Sequence, residues 1–413
     1  MAGLPLAGIH VIDLSHSWAG PHCGRILADF GAEVIKVEYA GLLCLLRGGR
    51  KEGKAYNRHA AWHQVNRNKY AVTLDLHTEE DRQVLRELVQ RADVVIENSR
   101  PGVLDRLGFG YADLCKLKEN IIMLSMTAFG RTGPYASYVG YGAVMEAVGG
   151  IQGLTAYAKG GKPVRIKELD VINGKAGACA VLTALFSRQK TGEGQHIDLS
   201  QLEAGTHGLI GEHLLEFAMN GRQTLPTGNR HWQYAPQGCY RCLGEDKWVT
   251  LTVRSEAEWQ TFCLALGHEE WRHDQRFVAN DQRLVHHDLL DRLIEEWTMR
   301  HSHLEAMAIL QRHGIPSGAV LDVGELAGDP HLRERGYFLK AEDEPAKLFM
   351  GMPFRLSEGA GRVRWGGPDL GRHNEYVCCE ILGRRREQVK PIREEEIKTA
   401  FDPQDEGTRG NTI

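Results

Sequence analysis

The sequence predicts an α/β protein with a large, doubly wound parallel sheet and a second, smaller α+β domain. Three observations carry this expectation. Over the first 200 residues strand-like runs alternate with helical ones, the pattern of βαβ units. From about residue 228 to 325 the character changes to paired strands followed by short charged helices. The chain has 413 residues, 42% hydrophobic and 25% charged, which is ordinary globular composition with room for roughly two to three domains.

Taken in order, GIHVIDLS reads as a short buried strand. Gly20-Pro21 and the helical run CGRILADFG follow, and AEVIKVE is the next strand. YAVTLDL is a third, and Glu79 to Arg91 has the spacing of an amphipathic helix. ADVVIENS and NIIMLSMTAFG are two more strands. GKAGACAVLTALFSRQ is a long helix that stops at the glycine-rich turn Lys190-Thr191-Gly192-Glu193-Gly194 and feeds the strand QHIDLS. Residues 204–223 form a further long helix leaving the sheet. GCYRCLG and KWVTLTV pair in the small domain, ahead of helices holding Trp259, Trp271 and Trp297. After GIPSGAVLDV the chain returns to β-rich segments and ends in a charged tail.

Several function classes are disfavoured. The net charge is -4 with lysines and arginines spread out, so no nucleic-acid partner is expected. No apolar run approaches the roughly 20 residues of a bilayer span, and MAGLPLAGIHVIDLS lacks a basic leader region, so neither membrane nor signal peptide is expected. Nine scattered cysteines, an odd number, suit a reducing cytoplasm. Cys239 and Cys242 make a single CxxC, read as packing rather than zinc, so no metal is expected. No P-loop, dinucleotide fingerprint, HExxH or GxSxG is present. What remains is chemistry without metal, redox cofactor or nucleotide energy.

Ligands of doubly wound sheets sit beyond the C-terminal strand ends, which places Ser15-His16, Glu38, Asn98 and Thr127 at one rim. The run RGGRKEGK supplies Arg47, Arg50, Lys51 and Lys54, with Arg58 just beyond. Such a run can wrap a phosphate, or simply be a solvated charge run. His16 is either structural or a rim contact. Asp170, in KELDVINGKAGA, has two readings as well. It can cap the helix of residues 173–188. It can also be a nucleophile towards a thioester carbonyl, with Gly174 and Gly177 permitting close approach. The stretch by itself does not separate the two.

Together these stretches resemble the family III CoA-transferases, the formyl-CoA transferase and carnitine CoA-transferase group. The resemblance runs over roughly residues 4–380. It is carried by GIHVIDLSHSWAGP, LADFGAEVIKVE, VNRNKYAVTLDL, VIENSRPGVLDRLGFGYADL, MTAFGRTGPY, KELDVINGKAGACAVLTAL and RQKTGEGQHIDLSQLEA, then by GNRHWQYAPQGCY, HGIPSGAV and MPF. Their order and spacing together are specific.

The resemblance implies a catalytic aspartate at Asp170, which forms a mixed anhydride and then an enzyme-CoA thioester. It implies coenzyme A contacts at His16, Ser17, Trp18, Ala19, Leu74, Asn98 and Arg106. Trp18 stands where the formyl-CoA branch has glutamine, Tyr39 where it has arginine, and Thr127 and Val139 where it has lysines. The phosphates then need other cations, and Arg47 and Arg50 are the candidates. Racemases share this fold but need a His-Asp pair, and Tyr141 stands near the position of their histidine. A racemase-like enzyme is thus the alternative, as is one subunit of a heteromeric transferase.

The resemblance further implies a Rossmann-like large domain built from both chain ends and an interlocked-ring dimer. The boundaries read from the sequence are 1–205 for the first part of the large domain, 206–227 for a linker helix and 228–325 for the small domain. Residues 326–395 return to the large domain, and 396–413 form the tail. No permanently bound cofactor is expected, only a coenzyme A thioester as substrate. Succinyl-CoA is the expected donor. Trp232 and Tyr234, with Trp62, His63 and His231, either line an acyl pocket or pack the domain junction. In the first case Arg67 or Arg230 can pair a second carboxylate, with Tyr141 also in the pocket, and a substituted succinate such as benzylsuccinate is the expected acceptor.

Overall fold

Strands β1 (His10–Asp13), β2 (Glu33–Glu38) and β3 (Tyr70–Thr73) are followed by β4 (Val94–Glu97), β5 (Ile122–Thr127) and β6 (Gln195–Ser200). They form one six-stranded sheet in the order β3-β2-β1-β4-β5-β6, with every pairing parallel. This computed structural model describes residues 3–48, 52–157, 161–343 and 348–398. Helices α1 (Ala19–Asp29), α2 (Ala60–Asn66) and α3 (Glu79–Arg91) connect the first strands. Helices α4 (Val103–Arg106), α5 (Tyr111–Leu117), α6 (Gly142–Val148), α7 (Ile151–Leu154), α8 (Leu169–Thr191) and α9 (Gln201–Asn220) follow.

Alternation along the strands divides the core into two layers, because successive side chains point to opposite faces. Ile12, Ile35, Val95 and Met123 pack on one face with Leu85 and Leu88 of α3. Val11, Val34, Val94, Ile122 and Leu124 pack on the other with Leu27 of α1 and Val181 and Leu185 of α8. All six residues of β5 are buried, as expected of a parallel strand covered on both sides.

Local signals set the helix ends. The Thr78 hydroxyl caps α3 by accepting from the Asp81 N–H, and Glu79, Glu80 and Asp81 complement the positive end of its dipole. Gly192 ends α8 in the left-handed region at φ 77°. Helix α8 is long and apolar enough to cross a membrane by length and composition, a property the sequence reading missed because charges interrupt the run. Here its apolar residues pack against α1 and β5. Gly174 and Gly177 serve that packing. A methyl at 174 would lie 2.5 Å from His22 Cδ2, and one at 177 would lie 3.1 Å from the Met126 thioether. Their role is helix approach, not the substrate approach expected from the sequence.

The described chain forms two compact units. The first takes the chain up to Ile151, then Arg165–Gly221, then from Arg335 onward; the second takes Gln152–Val164 and Arg222–Glu334. Residues 152–164, assigned above to the large domain, leave it after Gly149-Gly150, where Gly150 turns in the left-handed region at φ 78°. Within the first unit, the C-terminal segment closes the open edge of β3. His373 Nδ1 accepts from the Ala71 N–H and Asn374 Oδ1 from the Thr73 N–H, satisfying groups that an unpaired edge would expose.

The second unit is built on β7 (Gln237–Arg241), β8 (Trp248–Thr252) and, after α10 (Glu256–Leu266), α11 (Asn280–Val285), α12 (His287–Thr298) and α13 (His303–Arg312), on β9 (Ser317–Ala319). These three strands pair antiparallel in the order β7-β8-β9. Trp259, Phe262, Trp271, Phe277 and Trp297 fill the core, and Cys242 packs among them with a free thiol.

Candidate functional site

The strand order reverses direction between β1 and β4, and the crevice of such a sheet opens there. A cavity of about 440 Å³ lies at that place. It is walled by the loop after β1 (His16 to Ala19), the loop after β4 (Asn98 to Pro101), the end of β5 at Thr127, and the segment from Tyr138 to Gly142. Asp170 lies on the floor with Gln201.

The β1 loop is held from below by buried charges. Asp13 is fully buried and accepts from Lys69 Nζ at 2.7 Å, from the Ser15 N–H at 2.9 Å and from Ser15 Oγ at 2.5 Å. Lys36, also fully buried, donates to the Ser15 carbonyl. Burial opposes the charge on Asp13, but Lys36 and Lys69 outweigh it and hold the carboxyl below its ordinary range. The same burial brings Lys69 down to about 8, against the pull of Asp13. From the side, Asn98 Oδ1 accepts from the His16 N–H and Nδ2 donates to the His16 carbonyl, both at 2.7 Å. Ser17 then takes the left-handed region at φ 59°, an outlier that the fixed residues on either side impose. The His16 imidazole is neutral: desolvation, and then Lys36, lower it to about 4.

Asp170 is not the cap of its helix. Glu168 occupies the cap position, and Asp170 sits in the first turn of α8, where the helix dipole favours a carboxylate. Burial nevertheless raises its pKa, with Arg165 opposing and Glu146 reinforcing the rise. Arg165 lies 3.3 Å from Glu146, which is fully buried. Glu146 Oε1 also accepts the N–H of Lys167, which is left-handed at φ 60°. Gly142 borders both groups: a methyl there would lie 2.9 Å from Arg165 Nη2 and 3.0 Å from Asp170 Oδ2. Gln201 anchors the start of α8, accepting from Asn173 Nδ2 at 3.3 Å and donating to the Met126 carbonyl at 2.9 Å. Among the described residues, the buried Trp18 Nε1 and Thr127 Oγ1, on two residues that line the cavity, have no hydrogen-bond partner.

The structure brings His16, Ser17, Trp18, Ala19, Asn98, Tyr141 and Asp170 together around this cavity. Other expected residues are elsewhere. Arg47 is fully buried, with Nε and Nη2 bonded to Glu38 at 2.7 and 2.6 Å and its guanidinium over Trp62, so it is a core ion pair and not a phosphate ligand. Arg50 lies outside the described residues, as does Lys51. Arg67 is buried against Asp29 and the Met350 carbonyl, which removes it as the partner of a second substrate carboxylate. Arg230 is bound to Asp288 and Asp291 within the second unit. Leu74 is buried in the core, and neither it nor Arg106 lines the cavity. Trp232 and Tyr234 belong to the second unit, where both rings stack with His231.

Three other cations line cavities of the first unit. Arg100 lines the cavity, and Lys54 and Arg58 line a second cavity of about 990 Å³ that shares Trp18 with the first. Arg100, Arg165, Glu146 and Gln201 were not singled out in the sequence. Among the described residues, no cluster of His, Cys, Asp or Glu is arranged to hold a metal.

The chain is 33% identical over 399 residues to the succinyl-CoA–D-citramalate CoA-transferase of Chloroflexus aurantiacus, covering 95% of this chain and 98% of that one. It is 32% identical to the beta subunit of the succinyl-CoA–L-malate CoA-transferase of the same organism, with 95% and 98% covered. It is 30% identical to the succinate–glutarate CoA-transferase of Agrobacterium fabrum, with 91% and 96% covered. Among solved structures, a CAIB/BAIF family protein from Brucella suis superposes with a TM-score of 0.84 at 30% identity, covering 92% of this chain and 100% of that one. The sequence profile of CoA-transferase family III matches residues 6–374, and the chain belongs to that family.

Proposed function

We propose that this CoA-transferase moves coenzyme A from succinyl-CoA to a dicarboxylic acid through covalent attachment at Asp170. The observation that carries the reading is the position of Asp170: a partly desolvated carboxylate on the floor of the switch-point cavity, beside a cation. Desolvation makes a carboxylate more reactive as a nucleophile, while Arg165 opposes the rise that burial gives its pKa.

Four bond exchanges complete the transfer. An Asp170 oxygen adds to the succinyl thioester carbonyl and the coenzyme A thiolate leaves, giving a mixed anhydride. The thiolate attacks Cγ of Asp170 and expels succinate as its carboxylate, giving an enzyme-CoA thioester. The acceptor's carboxylate attacks the same Cγ and releases the thiolate, giving a second anhydride. The thiolate then attacks the acceptor's acyl carbon and restores the Asp170 carboxylate. One thioester replaces another, no proton is consumed, and no ATP is required. Each tetrahedral oxyanion needs fixed donors, worth about 3–4 kcal/mol apiece in comparable sites. Trp18 Nε1 and Thr127 Oγ1 are donors without a partner on two residues that line the cavity, and Arg100, Lys54 and Arg58 are the cations available for the phosphates.

The names of the relatives above support succinyl-CoA and a short dicarboxylate. The bulkier benzylsuccinate loses the support of Arg67, which is paired with Asp29. A heteromer stays within the proposal because one relative is named as a subunit. Turnover by the purified single chain decides that point.

The test is to mix the chain with succinyl-CoA, quench with borohydride and map the peptides. Borohydride reduces an aspartyl thioester to the alcohol. A mass change confined to the peptide holding Asp170, and absent in Asp170→Ala, is expected. An unmodified Asp170 peptide with every acyl-CoA tried would sink the covalent reading.

A further inference from the structure

We propose that Arg165 binds the carboxylate of the acceptor acid, and that loading of Asp170 is the event that makes it available; this rests on the covalent reading above. Arg165 stands between two acids. Its Nε lies 3.3 Å from Glu146 Oε2 and 3.4 Å from Oε1. Glu146 has no exposure to solvent, and its Oε2 makes no hydrogen bond among the described residues. A charge buried in this way is tolerated only beside a counter-ion, so one edge of the guanidinium is committed to Glu146. The other edge is not. Nη2 borders the face of Gly142 that Asp170 Oδ2 also borders, and the Arg165 side chain is 40% exposed. A guanidinium can bind a carboxylate with two parallel N–H donors while a further N–H serves another acid.

Loading matters because Arg165 stands between two acids at rest, and an incoming acid competes with Asp170 for Nη2. When Asp170 becomes an anhydride or thioester it is neutral, and Nη2 has lost that neighbour. A carboxylate arriving then takes the place Asp170 has given up, next to the Cγ it must attack. The arrangement discriminates by state: the free acid binds the loaded enzyme and not the resting one. It also fixes geometry, because Glu146 holds the Lys167 N–H and so ties the turn carrying Arg165 to α6.

The enzyme-CoA thioester prepared with succinyl-CoA, freed of excess donor and of succinate, tests this with glutarate, malate or citramalate, whichever discharges the wild type fastest. Discharge of the thioester is followed by borohydride trapping at each time point. In Arg165→Gln, loading by succinyl-CoA is expected to fall less than discharge. Discharge by the acid is expected to slow on the order of 10- to 100-fold, the usual worth of a charge-assisted contact. The acid concentration for half-maximal discharge should rise, and Arg165→Lys should recover part of the loss. Discharge of Arg165→Gln at the wild-type rate overturns the proposal, and so does an equal loss of loading and discharge. If Arg165→Gln does not fold, Arg165→Lys carries the test: raised half-saturation supports the proposal, and unchanged half-saturation overturns it. Failure of the wild type itself to load sinks the covalent reading first, a result distinct from any of these.

Discussion

The carboxamide of Asn98 closes on both polar groups of the His16 backbone, accepting from its N–H and donating to its carbonyl at 2.7 Å each. This pair ties the loop after β1 to the loop after β4 across the point where the sheet reverses order. The crevice is therefore not just a gap between diverging helices but a gap of fixed width. Asn98→Asp keeps the acceptor and removes the donor. One bond of about 1 kcal/mol is lost, so KM for the acyl-CoA should rise about fivefold while kcat changes less. Steady-state kinetics check this, and an unchanged KM would mean that Asp13 and Lys36 alone fix the loop.

Asp170→Asn should abolish turnover, by at least on the order of 1,000-fold, because the amide is no nucleophile. It should also raise the melting temperature. The fold lifts the pKa of Asp170 above its ordinary 3.8, so it favours the protonated carboxyl. The penalty on the ionised group is fully present at neutral pH and fades as pH falls through the raised value. Asparagine removes the penalty, and calorimetry at pH 7 measures the gain. The same shift predicts an acid limb in kcat/KM for the donor that lies above pH 3.8.

Asp13→Asn should destabilise the first unit by about 3–5 kcal/mol, because it leaves Lys36 and Lys69 buried without their counter-ion. The carboxyl of Asp13 is held below its ordinary value, so its contribution is present above about pH 4 and is lost as pH falls through the lowered pKa. Urea unfolding of both proteins should show a wide gap at pH 7 that narrows in acid.

Gly142→Ala tests the space beside Asp170. The added methyl would crowd Arg165 Nη2 and Asp170 Oδ2 at about 3 Å. The backbone there is helical, so alanine itself is acceptable to α6. A loss of roughly 10- to 100-fold in kcat is expected with little change in melting temperature. Wild-type kcat would show that the two side chains swing clear.

Much of this fold is written in local sequence. Strands such as NIIMLSMT and helices such as Glu79–Arg91 announce themselves by apolar period and by caps such as Thr78, and the strand-end rule points to His16 and Asn98 before any coordinates are seen. The motif around Asp170 is likewise recognisable as a stretch. Charged side chains are a different matter. Arg47 and Arg67 look like substrate cations in the sequence and are core ion pairs in the fold, whereas Arg165 sits in an unremarkable run and borders Gly142 beside Asp170. Whether a cation faces a ligand or an internal acid depends on partners far along the chain, such as Asp29 for Arg67 across 38 residues. The sequence by itself determined the alternation of elements, the rim of the sheet and the aspartate. Only the tertiary structure decided which charges are spent on one another and which are left for a substrate, because that choice is made by burial and by contacts between segments no local pattern connects.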